Sequence, residues 1–123
     1  MIKLIEKTAK YSRKKAGDSF IILAQNGLSI MDDASDKWRE KYLEIIDGVG
    51  LEDLFFNITD KEDQSYRLRL IKPLFLKNKL ILNVEYIPKN MHKKYFDILK
   101  KHPYKFIGYS ADPDKLLDKL VIY

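Results

Sequence analysis

The chain has 123 residues, of which 46% are hydrophobic and 33% are charged, and it contains no cysteine. A chain of this length buries roughly two thirds of its unfolded surface, so we predict one domain over residues 1–123. Without cysteine there is no disulfide, thiol nucleophile or thiolate metal site. No apolar run approaches the ~18 residues of a membrane span and no signal-peptide pattern occurs, so we expect a soluble cytoplasmic protein without a membrane partner.

The net charge of +5 conceals four blocks of opposite sign. Residues 1–15 carry a net +5, residues 16–65 carry −8, residues 66–105 carry +9 and residues 106–123 carry −1. A basic isoelectric point near 9.2 favours polyanionic partners in general. The alternation instead predicts separate acidic and basic surfaces on one molecule.

The first sixteen residues have helical periodicity, with Ile2, Ile5 and Ala9 on one face, and Gly17 is a typical helix end. A short strand over residues 2–5 is the alternative. The dipeptide Asn26-Gly27 then lies between two apolar runs, and both residues tolerate the positive φ of a tight turn. This pattern predicts a β-hairpin.

A helix is predicted from Asp36, because Trp38, Tyr42 and Ile45 recur on one face. The run Asp47–Gly50 is glycine-rich but follows this helix, so we interpret it as a C-cap and turn. It does not resemble a phosphate-binding loop, which would follow a strand.

The second half predicts more strands than helices. Residues 54–60 and 65–72 alternate like a meander that is ended by Pro73, and residues 74–87 supply one long or two short strands. A helix between Pro88 and Pro103, a strand over 106–109 and a helix after Asp112 follow. The fold class expected is therefore α+β, a mainly antiparallel sheet of about five to six strands packed by three to four helices.

The usual catalytic and metal-binding patterns do not occur in the sequence. His92 and His102 lie ten residues apart, so they form no metal pair on one helix turn. We expect His92 to be partly exposed at a helix start and His102 to place a favourable charge at the helix C-terminus. The spacing of the 18 acidic residues singles out no catalytic pair. We therefore predict no cofactor, no metal and no enzymatic activity.

Two charged stripes remain as candidate binding surfaces. One hypothesis is that they are ordinary solvated faces, or that they compensate each other within the fold. Another is that the acidic residues recognise a basic protein, as an electrostatic face that speeds association. The acidic partner-binding face predicted here comprises Asp32, Asp33, Asp36, Glu40, Glu44 and Asp47.

A third hypothesis is a basic nucleic-acid-binding domain, since lysine and arginine gain affinity from counterion release. The aromatic residues interleaved with these cations fall mostly on apolar stripes, so few are free to stack on bases. The polyanion-binding residues of this alternative are Lys3, Lys7, Lys10, Lys14, Arg67, Arg69, Lys93, Lys94, Lys100 and Lys101.

Among these hypotheses we favour a non-enzymatic protein-binding module. Small cysteine-free proteins with an asymmetric charged face often act by occluding another protein, as inhibitors and toxin-neutralising immunity proteins do. The sequence therefore predicts a protein partner with a basic surface, and nucleic acid as the alternative partner.

Overall fold

A computed structural model describes residues 1–117, which contain five α-helices and four β-strands. Two single 3₁₀ turns, Gly27–Ser29 and Lys89–Met91, precede α2 and α5. The elements in chain order are α1 (Ile2–Ala16), β1 (Leu23–Gln25), α2 (Ile30–Asp33), α3 (Asp36–Ile45), β2 (Gly48–Glu52), α4 (Lys61–Leu76), β3 (Leu80–Tyr86), α5 (His92–Lys101) and β4 (Ile107–Ala111).

The four strands form one parallel sheet in the order β1-β2-β3-β4. Helices lie between successive strands, so the chain crosses back each time and every strand runs in the same direction. The predicted mixture of helices and strands is confirmed. The predicted antiparallel sheet of five to six strands is wrong. Two segments expected to be strands are helical, the strand expected over residues 54–60 is irregular, and one segment expected to be a turn is a strand.

The first error is the hairpin at Asn26-Gly27. Asn26 does adopt the left-handed conformation, with φ 51°, but the chain then enters a 3₁₀ turn and α2. The second apolar run buries Leu28 and Met31, three residues apart, against the core. A short apolar run satisfies both helical and strand spacing, and here tertiary burial selected the helical one.

The second error concerns residues 61–76, which form the continuous helix α4. The Asp60 side chain caps it by accepting from Glu62 N at 2.8 Å. Leu70, Ile71 and Leu74 are buried at helical spacing, and Pro73 lies inside the helix. The alternation over residues 66–71 was therefore a coincidence of composition, and the helical face set by burial overrode it.

The third error is Asp47–Gly50, interpreted as a turn. Helix α3 does end at Ile45, but Gly48–Glu52 is the strand β2, paired on both sides. A side chain at Gly48 would overlap the Leu80 carbonyl, and one at Gly50 would overlap the side chain of Gln25. The glycines thus permit close approach within the sheet.

Other predictions are confirmed. Helix α1 ends at Gly17, whose φ is 97°, and α3, α5 and β4 lie where the periodicity placed them. Of the strand predicted over residues 74–87, only Leu80–Tyr86 is β3, because residues 74–76 end α4. The helix predicted after Asp112 is wrong at Leu116 and Leu117, which are exposed and irregular, and its remaining positions lie outside the described residues. The single domain stays a prediction.

The two faces of the sheet differ sharply. On the covered face, the helices pack against the sheet to form the hydrophobic core. The strand side chains in this core are Ala24, Val49, Leu51 and Ile81. The alternate side chains form the open face, which lies outside that core and includes Leu23, Leu80, Leu82, Val84 and Ile107. Within residues 1–117 no helix is long and apolar enough to cross a membrane.

Candidate functional site

Polar side chains gather where the parallel strands end. Glu52 closes β2, Asp53 follows it, Tyr86 closes β3, and Asn26 follows β1. Because parallel strands end at one edge of their sheet, these residues become neighbours although they are distant in sequence. Lys115, from the irregular segment after β4, joins them. We call these five residues the carboxyl-edge cluster.

Glu52 and Tyr86 form the centre of the carboxyl-edge cluster. The Tyr86 hydroxyl donates to Glu52 Oε1 at 2.7 Å, and Asn26 Nδ2 donates to Glu52 Oε2 at 3.3 Å. The hydrogen bond from Tyr86 lowers the pKa of Glu52, and the same bond raises the pKa of Tyr86 to about 12. At neutral pH the pair is therefore a carboxylate and a neutral phenol.

Asp53 continues the strand pairing in a strained conformation. Its φ is 50°, and its backbone N–H donates to the Val84 carbonyl at 2.9 Å. Its carboxylate accepts from Asn57 Nδ2 at 2.7 Å and lies 3.8 Å from Lys115 Nζ. The same ammonium is 4.8 Å from the centre of the Tyr86 ring, so one cation bridges both strand ends.

Helix α4 supplies a second cation to the cluster. Arg67 donates to the Glu52 carbonyl at 2.7 Å and to the Asp53 carbonyl at 3.2 Å. The guanidinium therefore fixes the main chain at the end of β2. Two carboxylates are thus accompanied by two cations, Arg67 and Lys115, and their charges balance.

Gln25 extends the polar surface along the open face. Its side-chain amide lies against Gly50, in the space that a larger residue would fill. Gly50 and Glu52 are two residues apart on one strand, so they share this face. The cluster therefore adjoins a neutral amide on the amino-terminal side of Glu52.

Glu85 lies on the covered face and plays a different part. Its carboxyl group is fully buried and accepts from Phe55 N at 2.7 Å, Phe56 N at 3.3 Å and Asn83 Nδ2 at 3.1 Å. Burial raises the pKa of Glu85 against the opposing effect of these hydrogen bonds. The side chain anchors the loop after β2, which carries Asp53.

Nearby on the same face, Ser110 Oγ is buried without a hydrogen-bond partner in the described structure.

The predicted acidic face lies elsewhere, on α2, α3 and the residue that precedes β2. Asp47 is half-buried and bound to Arg13 at 2.9 Å and to the backbone N–H of Ile22 at 2.7 Å, so it joins α1 to the sheet. The other five positions are exposed. Three of them have partners within the chain: Asp32 with the Tyr66 hydroxyl, Asp36 with Arg39, and Glu40 with Lys77. The remaining two are Asp33 and Glu44.

The predicted basic residues lie on three helices. Lys3, Lys7, Lys10 and Lys14 follow α1, Arg67 and Arg69 belong to α4, and Lys93, Lys94, Lys100 and Lys101 belong to α5. Helix α1 lines a groove beside β1, whereas α5 contacts β4 at the other end of the sheet. These lysines thus occupy separate surfaces, and nucleic-acid binding stays a prediction.

His92 and His102 lie at the two ends of α5, as predicted, but the predicted exposure of His92 and the predicted charge of His102 are wrong. His92 is buried, with Nε2 3.3 Å from the Ile87 carbonyl. Burial lowers the pKa of His102, whose Nδ1 accepts from Tyr104 N at 3.0 Å, which favours the neutral ring. No group of three or more His, Asp or Glu side chains in residues 1–117 is arranged to hold a metal ion.

The carboxyl-edge cluster was missed from the sequence. Glu52 and Glu85 each stand at the end of an apolar strand, and this position could have drawn attention to them. The signal carries weight only if the strands are parallel, because only then do their carboxyl ends meet. The antiparallel prediction therefore concealed the cluster.

Comparison with known proteins adds one relative. The chain is 31% identical, over 129 aligned positions, to an uncharacterized protein of Methanocaldococcus jannaschii. The alignment covers 98% of this chain and 36% of that protein, so the chain spans about a third of the relative's length. No protein-family model and no solved structure matches the chain.

Proposed function

We propose that this protein binds a small polar molecule at the carboxyl-edge cluster. The observation that carries the proposal is the Glu52 carboxylate, kept ionised by Tyr86 at 2.7 Å where the parallel strands end. Ligands of parallel α/β sheets characteristically bind in the crevice outside the carboxyl ends of the strands. Support therefore comes from both the location and the preset geometry of the acceptor.

Binding is favoured over acid–base catalysis by the protonation states of the cluster. General acid–base catalysis is most efficient when the group's pKa lies near the working pH. The pKa of Glu52 is lowered and that of Tyr86 is raised to about 12, so neither exchanges protons readily near pH 7. The non-enzymatic character predicted from the sequence is retained as part of the proposal.

The charge balance suggests the chemistry of the ligand. Glu52 and Asp53 provide acceptors, while Lys115 and Arg67 cancel their charge locally. A strongly charged ligand would leave an unbalanced charge at this edge, whereas a neutral molecule would not. The favoured ligand is a neutral molecule that donates hydrogen bonds to Glu52, such as a polyol or an amide.

The test is a panel titration followed by two-dimensional ¹⁵N NMR, using polyols, amides, amines and carboxylic acids as probes. We expect a polyol or an amide to shift the amide signals of residues 52–53 and 86 in the wild-type protein. Glu52→Gln should weaken that binding at least about tenfold, since it removes a charged acceptor. The matched control is Glu44→Gln on α3, which should bind like the wild type. Equal affinity in Glu52→Gln would overturn the proposal.

A second candidate function is the occlusion of a basic protein by the acidic face, in the manner of an inhibitor or immunity protein. It is supported by the exposure of the Asp36 side chain, 97% accessible, and of Glu40, 59% accessible. Reversing Asp36, Glu40 and Glu44 to lysine should abolish binding to a captured basic partner. Unchanged binding would remove this candidate.

A further inference from the structure

The open face of the sheet is largely apolar, and its amino-terminal half is uncovered in the part of the chain that the structure describes, whereas Tyr86 and Ala111 at its carboxyl end are buried. Ile107 is 51% exposed and Leu23 is 42% exposed, and Leu82 and Val84 between them are only half-buried. Apart from Glu52 at the carboxyl end, no open-face position of the four strands carries a charge. Parallel sheets normally have both faces covered, so this face calls for a partner.

The two outer strands also have free edges. Strand β1 pairs only with β2, and β4 pairs only with β3, within residues 1–117. Each free edge offers backbone N–H and C=O groups that a further parallel strand could satisfy. A groove of about 1070 Å³ runs beside β1 and is lined by Met1, Leu4, Leu23 and Trp38 among others. The edge of β1 is therefore accessible.

The strand order restricts which partner could pair with the free edges of both β1 and β4. Within residues 1–117 four parallel strands follow each other in sequence order, and the helices pack on one face of their sheet. The same strand order and the same one-sided helices occur in the eight-stranded parallel barrel, in which the face without helices lies inside. Four more parallel strands with an apolar inner face are needed, and a second copy of this chain has these properties.

We propose that two copies of this chain associate through their open faces and free strand edges. A twofold axis along the axis of the barrel makes all eight strands run in the same direction and sets β4 of each copy beside β1 of the other. Both free edges are then paired and both apolar faces are buried by one symmetric contact. The carboxyl-edge clusters of the two copies come to the same end of the assembly.

The first test is the mass in solution, measured by sedimentation equilibrium over a roughly hundredfold range of concentration. We expect the mass to rise from the 14.5 kDa of one chain to that of two. Ile107→Lys and Val84→Lys should each raise the dissociation constant at least about a hundredfold, because they place a charge in the apolar contact. The matched control is Leu76→Lys at the end of α4, which is 68% exposed and should leave association unchanged.

Circular dichroism and cooperative urea unfolding of each variant separate a lost contact from a lost fold. A wild-type mass of one chain at every concentration would overturn the proposal and favour another occupant, such as a further segment of a longer protein. Equal loss of association in Leu76→Lys would also overturn it.

A second test uses the absence of cysteine from the chain. Leu23→Cys combined with Ile107→Cys places a thiol on each outer strand, and these strands are three strand spacings, roughly 14 Å, apart within one copy. A short bis-maleimide should therefore join two chains rather than one. The control combination, Leu23→Cys with Leu76→Cys, should give little product of double mass, and equal amounts from both would count against the proposal. Because ligand binding is measured at another edge, neither result decides the proposed function.

Discussion

The pKa of a glutamate is shifted in opposite directions on the open and the covered face of the sheet. Glu52 is the last residue of β2 and Glu85 the next-to-last of the neighbouring β3, with Glu52 opposite Val84 in the register. On the open face a phenol and an amide donate to Glu52, and the pKa of its carboxyl group falls. On the covered face burial dominates for Glu85, and the pKa of its carboxyl group rises. The comparison shows that hydrogen bonds favour the ionised carboxyl group of Glu52, whereas burial favours the protonated carboxyl group of Glu85.

The largest contrast between the faces should appear in the free energy of unfolding. Ile81→Ala on the covered face should lower it by about 2–4 kcal/mol, because a fully buried side chain leaves a cavity. Leu82→Ala on the open face should cost about 1 kcal/mol or less. Urea unfolding at low protein concentration measures both variants. Similar losses at the two positions would contradict the assignment of the faces.

Glu85→Ala should be the next largest effect. It removes the acceptor for Phe55 N, Phe56 N and Asn83 Nδ2, and we expect a loss of about 2–3 kcal/mol from the buried donors left behind. Glu85→Gln keeps one acceptor and should lose less. Proteolysis of the loop at residues 53–57 provides a second measurement, and this loop should be cut faster in Glu85→Ala. If both variants unfold like the wild type, Glu85 is not an anchor of this loop.

The two glutamates should also give opposite dependences of stability on pH. The pKa of Glu85 is raised in the folded state, so its contribution is fully present below about pH 4.5 and is lost as the pH rises through the raised value. The pKa of Glu52 is lowered, so its contribution is present above about pH 4.5 and is lost as the pH falls through the lowered value. Urea unfolding against pH should show slopes of opposite sign when the wild type is compared with Glu85→Gln and with Glu52→Gln.

The smallest effect should come from Tyr86→Phe. It removes one hydrogen bond, so the pKa of Glu52 should rise toward its ordinary value and the free energy of unfolding should fall by about 1 kcal/mol. Side-chain ¹³C NMR of Glu52 follows the titration directly. Tyr11→Phe, at an exposed tyrosine on α1, is the control. An unchanged Glu52 titration in Tyr86→Phe would show that the phenol does not set the charge of the open face.

Local sequence patterns correctly predicted the helices that have a clear apolar periodicity or a typical end residue. Helix α1 has an apolar face and a terminal glycine, and α3 and α5 have apolar residues at helical spacing, so no distant contact was needed to define these helices. The strand predictions for residues 61–76 and for the apolar run after Asn26 were wrong because the apolar residues of these segments fit both the helical and the strand periodicity. The turn prediction at Gly48 and Gly50 was wrong because two nearby glycines indicate a turn unless neighbouring strands are known to pack closely against them.

The sequence by itself determined the composition of the molecule: a cysteine-free chain with alternating charge blocks, a helix at its start and enough apolar residues for a core. These properties are local or additive, so they can be counted along the chain. Only the tertiary structure decided that the strands are parallel, which face is covered, and that Glu52, Asp53, Tyr86 and Lys115 meet at one edge. Strand direction depends on how intervening segments cross the sheet, and the crossing is selected by burial summed over the whole chain.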